Sequence, residues 1–92
     1  FWNLTVIYWS YYSGSTAPAA MRKLKFRYGT GGTAFHTVYV PPTANVTVEG
    51  TIAFRTPLRS ASVSQNINVI LDAALGTAGV FSAGCVGYKT TT

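Results

Sequence analysis

Residues 22–28 read Arg22-Lys23-Leu24-Lys25-Phe26-Arg27-Tyr28, an alternation of cationic and apolar side chains. Successive side chains of a β-strand point to opposite faces, so this stretch predicts an amphipathic strand. One face of that strand receives Lys23, Lys25 and Arg27, and the other receives Leu24, Phe26 and Tyr28. The cations lie roughly 6–7 Å apart, twice the strand rise. That spacing is close to the phosphate interval of an extended nucleic acid, so the stretch indicates a polyanion-binding face or, alternatively, an ordinary solvated face.

The size and composition of the chain predict a single domain that assembles with copies of itself. Its 92 residues suffice for one core, so residues 1–92 are interpreted as one domain. Hydrophobic residues make up 48% of the chain, which favours a folded core over disorder. Charged residues make up only 10%, against roughly 25% in typical soluble domains. We therefore expect other subunits to cover much of the surface, in a homodimer or a larger assembly.

The sign of the charge indicates an anionic partner. Seven Lys and Arg residues stand against two acids, Glu49 and Asp72, which gives a net charge of +5. RNA is the partner that this balance favours, although small basic domains without an anionic ligand are common. The sequence contains no run of about 20 apolar residues, so we expect no membrane partner.

The inventory of reactive residues argues against an enzyme. A hydrolase triad would have to combine His36, the only histidine, with Glu49 or Asp72, and no nucleophile elbow is present. A zinc site needs about four Cys, His or acidic ligands, and the chain has one cysteine, Cys85. We expect Cys85 to be a small buried hydrophobe. The sequence predicts no catalytic residue, metal, cofactor or small-molecule substrate.

Strand patterns occupy the first two thirds of the chain. Residues 2–12 are rich in aromatic and β-branched residues with poor alternation, which predicts a strand covered on both sides or an edge awaiting a partner. Trp2 and Trp9 are therefore assembly candidates. Residues 29–32 are expected to form the turn of a hairpin that ends at Val40. Residues 45–56 alternate again, and Gly50 predicts a bulge or a close approach of another backbone.

A change of period after Pro57 predicts a helix. The apolar residues Val63, Ile67, Ile70, Leu71, Ala74 and Leu75 recur at spacings of three and four. Ser60 or Ser62 would cap the start, and Gly76 would follow the end. The predicted fold class is therefore α+β, an antiparallel sheet followed by a C-terminal amphipathic helix. The alternative is a strand over residues 66–71 within an all-β sandwich, because Val and Ile favour strands. Residues 77–92 fit either a short helix or a strand.

This order of elements resembles the coat proteins of single-stranded RNA bacteriophages. The resemblance covers roughly residues 21–80 and rests on strands in series followed by an amphipathic helix. It implies an interlocked dimer in which the helices of each subunit lie over the sheet of its partner. Val63, Ile67, Ile70 and Leu71 would then meet the partner's sheet. The opposite sheet face would bind RNA through Arg22, Lys23, Lys25 and Arg27, joined by Thr47, Thr51 and Arg55 if the register permits.

The sequence thus leads to a structural, self-assembling subunit, first of all a viral coat protein that encloses RNA and is located in the virion. Two other classes remain open. One is a secreted β-sandwich subunit of an extracellular filament or virion decoration layer that binds no nucleic acid. The other is a monomeric module that binds single-stranded nucleic acid with the same cations.

Overall fold

The computed structural model of this chain describes residues 1–29, 33–62 and 65–91, and all regular secondary structure within these ranges is β-strand. The strands in the described ranges are β1 Trp2–Tyr12, β2 Arg22–Tyr28, β3 Ala34–Val40, β4 Thr47–Arg59, β5 Ile67–Leu71 and β6 Val80–Lys89. They form two antiparallel sheets, sheet A in the order β4-β1-β6 and sheet B in the order β3-β2-β5. The predicted α+β fold class is wrong, and the all-β alternative is consistent with the structure.

The predicted C-terminal amphipathic helix is replaced by a strand and turns wherever residues 60–75 are described. Val63 lies outside the described residues. Residues 67–71 form β5 and pair with β2, which places Leu71 opposite Leu24 and Val69 opposite Phe26. The apolar residues at 67, 69 and 71 also alternate with a period of two, so the same sequence fits a strand as well as a helix. Contacts with β2, distant in sequence, select the strand.

The residues predicted to cap that helix have other roles. Ser60 Oγ accepts a hydrogen bond of 2.9 Å from the N–H of Trp2, which fixes the end of β4 against the start of β1. The N–H of Gly76 donates to the carbonyl of Ser13 over 2.9 Å. A side chain at Gly76 would collide with the backbone of Thr16, so the glycine permits two loops to approach closely.

The two sheets pack face to face around one hydrophobic core. Its buried residues are Leu4, Ile7 and Tyr11 of β1 together with Leu24, Phe26, Val38 and Val40 of sheet B. The Trp9 side chain extends from sheet A towards sheet B. Its ring centroid lies 5.9 Å from that of Phe26 in an edge-to-face arrangement. We call the surfaces that meet in this core the inner faces. The outer faces of sheets A and B therefore look in opposite directions.

β1 is the central strand of sheet A, so residues 2–12 do not form an edge. Its inner face is buried in the core, but Tyr8 on the outer face is 46% exposed, so the strand is not covered on both faces either. Its register with β4 runs without interruption past Gly50, where Trp9 is the cross-strand partner. A Cβ at position 50 would collide with the Trp9 indole, so a ring, and not another backbone, makes the close approach. The irregularity lies elsewhere, between Leu4 and Val6, opposite residues 54–57 of β4.

Candidate nucleic-acid interface

The cations of β2 lie on the outer face of sheet B, along its central strand. Leu24 and Phe26 are buried on the inner face, whereas Lys23 is exposed and Lys25 and Arg27 are half-buried. The strand alternation therefore separates the two sets as the sequence predicts. We call this surface the cation face; it consists of Lys23, Lys25 and Arg27 with their cross-strand neighbours Thr37 and Tyr39 of β3 and Asn68 and Ile70 of β5.

The cation face carries two enclosed hydrogen-bond donors with no partner among the described residues. They are Nε of Arg27 and Nδ2 of Asn68, and both are shielded from solvent. Arg27 and Asn68 are direct cross-strand partners, so the two donors belong to one place on the sheet. Enclosed donors without an acceptor destabilise a fold. Because both atoms are shielded, they are closed to a ligand oxygen in this conformation and do not indicate a ligand.

An acid stands at one end of the cation face. Asp72 Oδ1 accepts a hydrogen bond of 2.9 Å from the backbone N–H of Lys23. This bond is the main cause that lowers the pKa of Asp72; burial opposes it, and the charges of Arg22 and Lys25 lower the pKa further. Asp72 is therefore ionised at neutral pH and offsets positive charge near Lys23. Arg22 is turned away from the row, because its Nε donates to the carbonyl of Ala74 over 2.8 Å.

One aromatic side chain is available to stack on a base at this face. Tyr39 is 55% exposed and lies directly opposite Lys23. Tyr28 and His36 instead point between the sheets, where His36 lies against Trp9 with ring centroids 5.1 Å apart. Burial lowers the pKa of His36, which favours its neutral form. Of Tyr28, His36 and Tyr39, Tyr39 is the one placed to contact a ligand of the cation face.

The burial of Tyr28 leads to a prediction about alkaline pH. Its hydroxyl donates to the carbonyl of Leu58 over 2.7 Å. Burial, and secondarily the electrostatic influence of Cys85, raise the pKa of Tyr28 from 10.0 to about 12, while a hydrogen bond with the backbone of Leu4 lowers it. Folding thus favours the neutral phenol, and this stability is present below pH 10 and lost between pH 10 and about 12. Thermal unfolding across this range should show a smaller decline in Tm for Tyr28→Phe than for the wild type; equal declines would contradict the prediction.

Three predicted RNA-binding residues lie away from the cation face. Thr47 and Thr51 belong to β4, which pairs with β1 in sheet A, so they lie on the outer face of that sheet beside Tyr8 and Tyr12. Arg55 lies in the irregular part of the same edge strand. The structure therefore brings Lys23, Lys25 and Arg27 together on one side of the molecule, with Arg22 at their margin.

The predicted assembly residues are also dispersed. Trp9, Ile67 and Leu71 pack against the core, and Ile70 lies on the outer face of sheet B beside Lys25. Trp2 is half-buried near the end of β6, where the Lys89 ammonium lies 4.8 Å from its ring centroid. Val63 is outside the described residues. A surface made by these side chains together is therefore not present among the described residues.

Thr37 and Asn68 also belong to the cation face, although the sequence did not single them out as ligand contacts. Both lie beside β2 cations through strand pairing, Thr37 opposite Lys25 and Asn68 opposite Arg27. A signal for Thr37 is present, because Thr37 and Tyr39 alternate with buried Val38 and Val40 in β3. For Asn68 the corresponding alternation is meaningful only if residues 67–71 form a strand, which the local sequence does not decide.

Neither a metal-binding cluster nor a membrane-spanning helix occurs among the described residues. The described residues contain no group of three or more His, Cys, Asp or Glu side chains placed to hold a metal ion. They also contain no helix with the length and apolarity needed to cross a membrane. Comparison with protein-family models, curated proteins and solved structures found no match to this chain. What this chain binds is therefore inferred from the cation face itself.

Proposed function

We propose that this chain is a structural subunit that binds single-stranded RNA along β2 and assembles with copies of itself, as a viral coat protein does. The observation that carries the proposal is the row of Lys23, Lys25 and Arg27 on an outer sheet face. Three cations on a rigid central strand keep a fixed spacing, so they neutralise successive phosphates without ordering a flexible loop. Tyr39 beside Lys23 adds a stacking surface for a base.

The contacts available at this face favour binding that tolerates many sequences. Lysine ammonium groups recognise phosphate as point charges, and an exposed tyrosine ring stacks on any base. The Arg27 guanidinium lies in the same row and adds a third positive charge for a phosphate. Such a face suits a subunit of a virion in which each of many copies neutralises a few phosphates of the enclosed RNA.

Assembly has to differ from the interlocked dimer that the resemblance implied. Among the described residues there is no helix to lie over a partner's sheet, and the inner face of each sheet already packs against the other sheet. Contacts between copies therefore have to use sheet edges, outer faces or loops.

A second candidate function is favoured by the apolar surface of sheet A. Val80 and Val86 of β6 are 63% and 55% exposed. An extracellular filament or virion decoration layer without nucleic acid would use such a surface and leave the cation face solvated.

Size-exclusion chromatography of the purified full chain, with absorbance at 260 and 280 nm and nuclease treatment, tests the proposal. We expect assemblies that carry RNA. Large assemblies free of nucleic acid would instead favour the filament or decoration layer. A small species that binds RNA only when RNA is added would favour a monomeric nucleic-acid-binding module.

A further inference from the structure

β6 is an edge strand of sheet A, and its free side is not paired with any described strand. It is ten residues long, Val80–Lys89, and its single charged residue is the last one. Val80, Val86 and Tyr88 are at least half exposed. A long, apolar edge of this kind presents a row of free N–H and C=O groups, which is a template for pairing with another strand.

The other edge of sheet A is protected from such pairing. On β4 the register shift next to Val6 leaves residues 54–57 without partners on β1, and Pro57 lies within this segment. Arg55 and Arg59 are exposed on the same strand. Irregular pairing, proline and charge are the devices that keep an edge from associating. The contrast singles out β6 as the open edge of the sheet.

Charge indicates which partner meets this edge. The chain carries a net charge of +5, so copies repel one another over most approaches. Residues 80–88 contain no charged side chain, and they form the stretch of sheet A where two copies approach without bringing like charges together. We infer that β6 of one chain pairs antiparallel with β6 of a second copy. The pairing joins two three-stranded sheets into one six-stranded sheet, a usual size for a stable sheet.

A twofold axis restricts the register of this pairing. For a continuous sheet, residues opposite each other must point to the same face. The axis therefore has to pass midway between one residue and the same residue of the other copy. Gly84 and Cys85 are the two central residues of β6, and either centre pairs nine residues. A centre at Cys85 places the two Cys85 residues directly opposite each other, and a centre at Gly84 places them as a diagonal pair. Their Cα atoms are then about 5 to 8 Å apart. Cys85 is exposed, contrary to the expectation of a buried hydrophobe.

This inference rests on the self-assembly part of the proposed function and is independent of RNA binding. It names the surface and the partner, a second copy of this chain. The cation face lies on the opposite outer surface in sheet B, so both functions can operate in the same molecule.

A matched pair of lysine substitutions tests the inference. Val86 and Ala53 are both cross-strand partners of Val6 and lie on the two edges of sheet A. Val86→Lys places a charge at the proposed interface and should raise the Kd of the dimer at least about tenfold. Ala53→Lys adds the same charge on β4 and should leave the Kd unchanged. Light scattering after size-exclusion chromatography, over a dilution series of the full chain, gives both values.

The outcomes separate the inference from the proposed function. If the wild type and Val86→Lys form dimers with equal Kd, β6 pairing is overturned but self-assembly is left intact. A wild-type chain that stays monomeric throughout the series overturns both. Circular dichroism of Val86→Lys shows whether the variant is folded.

Cross-linking with a short bismaleimide supplies the second measurement, because Cys85 is the only cysteine of the chain. We expect a covalent dimer from the wild type and from Ala53→Lys. Val86→Lys should give little, and Cys85→Ser should give none. Wild-type chains that dimerise by light scattering but are not cross-linked would contradict the central register.

Discussion

Replacing Lys23 and Lys25 with glutamate is expected to weaken the binding of single-stranded RNA at least about a hundredfold. The two charge-assisted phosphate contacts that are lost contribute about 1.5 kcal/mol each, and tenfold in affinity corresponds to about 1.4 kcal/mol. Both side chains project from the cation face, whereas the apolar residues between them are buried. The folded sheet should therefore persist. Fluorescence anisotropy with a labelled oligonucleotide measures the affinity, and a thermal melt shows that the variant is folded.

The control for this experiment is the double substitution Arg55→Glu with Arg59→Glu. It changes the net charge from +5 to +1, as the lysine substitutions do, but both arginines lie on β4 in sheet A. We expect this variant to retain most of its RNA affinity. Equal losses in the two variants would mean that only net charge matters and that the cation face has no special role.

The salt dependence gives a second readout from the same face. Each phosphate contact with a single strand contributes roughly 0.7 to the slope of log K against log salt. Changing Lys23 and Lys25 to glutamine should therefore lower the slope by about 1.4. A slope that does not change would show that neither lysine contacts a phosphate, even if the affinity falls.

The sequence revealed the local strands of this chain because their alternation is complete within a few residues. Leu24 and Phe26 alternate with cations, and Val38 and Val40 alternate with Thr37 and Tyr39. These patterns need no knowledge of the partner strand. The paired strands β2 and β3 were accordingly predicted, although residues 30–32 of the turn between them lie outside the described residues.

The rest of the fold depends on contacts that no local pattern contains. Ile67 and Leu71 are four residues apart, which suits one helix face as well as alternate strand positions. Pairing of β5 with β2 across about 40 residues decides between the two, and that choice removes the predicted helix. For the same reason, the sequence did not show that Thr51 lies away from the cation face. Its position on β4 was predicted, but pairing of β4 with β1 places it on the other sheet.

Truncation of Phe26 to alanine should lower the free energy of unfolding by several kcal/mol, about 3–5 kcal/mol for a buried phenylalanine. Phe26 is 1% exposed, and its ring lies within 6.4 Å, between centroids, of those of Trp9, Phe35 and His36. Domains of this length have a free energy of unfolding of about 5–14 kcal/mol, so the loss is between about a fifth and the whole of the folding stability. Urea denaturation followed by tryptophan fluorescence measures the loss.

Tyr39→Ala is the control, because Tyr39 on β3 is 55% exposed and lies outside the proposed β6 interface, so its truncation should cost far less than that of Phe26. The comparison also distinguishes the two folds. In the two-sheet structure Phe26 packs within its own chain, so the free-energy difference between Phe26→Ala and the wild type should not depend on protein concentration. If a partner's helix covered Phe26, the truncation would instead weaken the dimer, and the variant would differ from the wild type first in the dissociation constant of the dimer. A loss of less than about 1 kcal/mol, against the 3–5 kcal/mol expected for a buried site, would place Phe26 outside the core and contradict the packing of sheet A on sheet B.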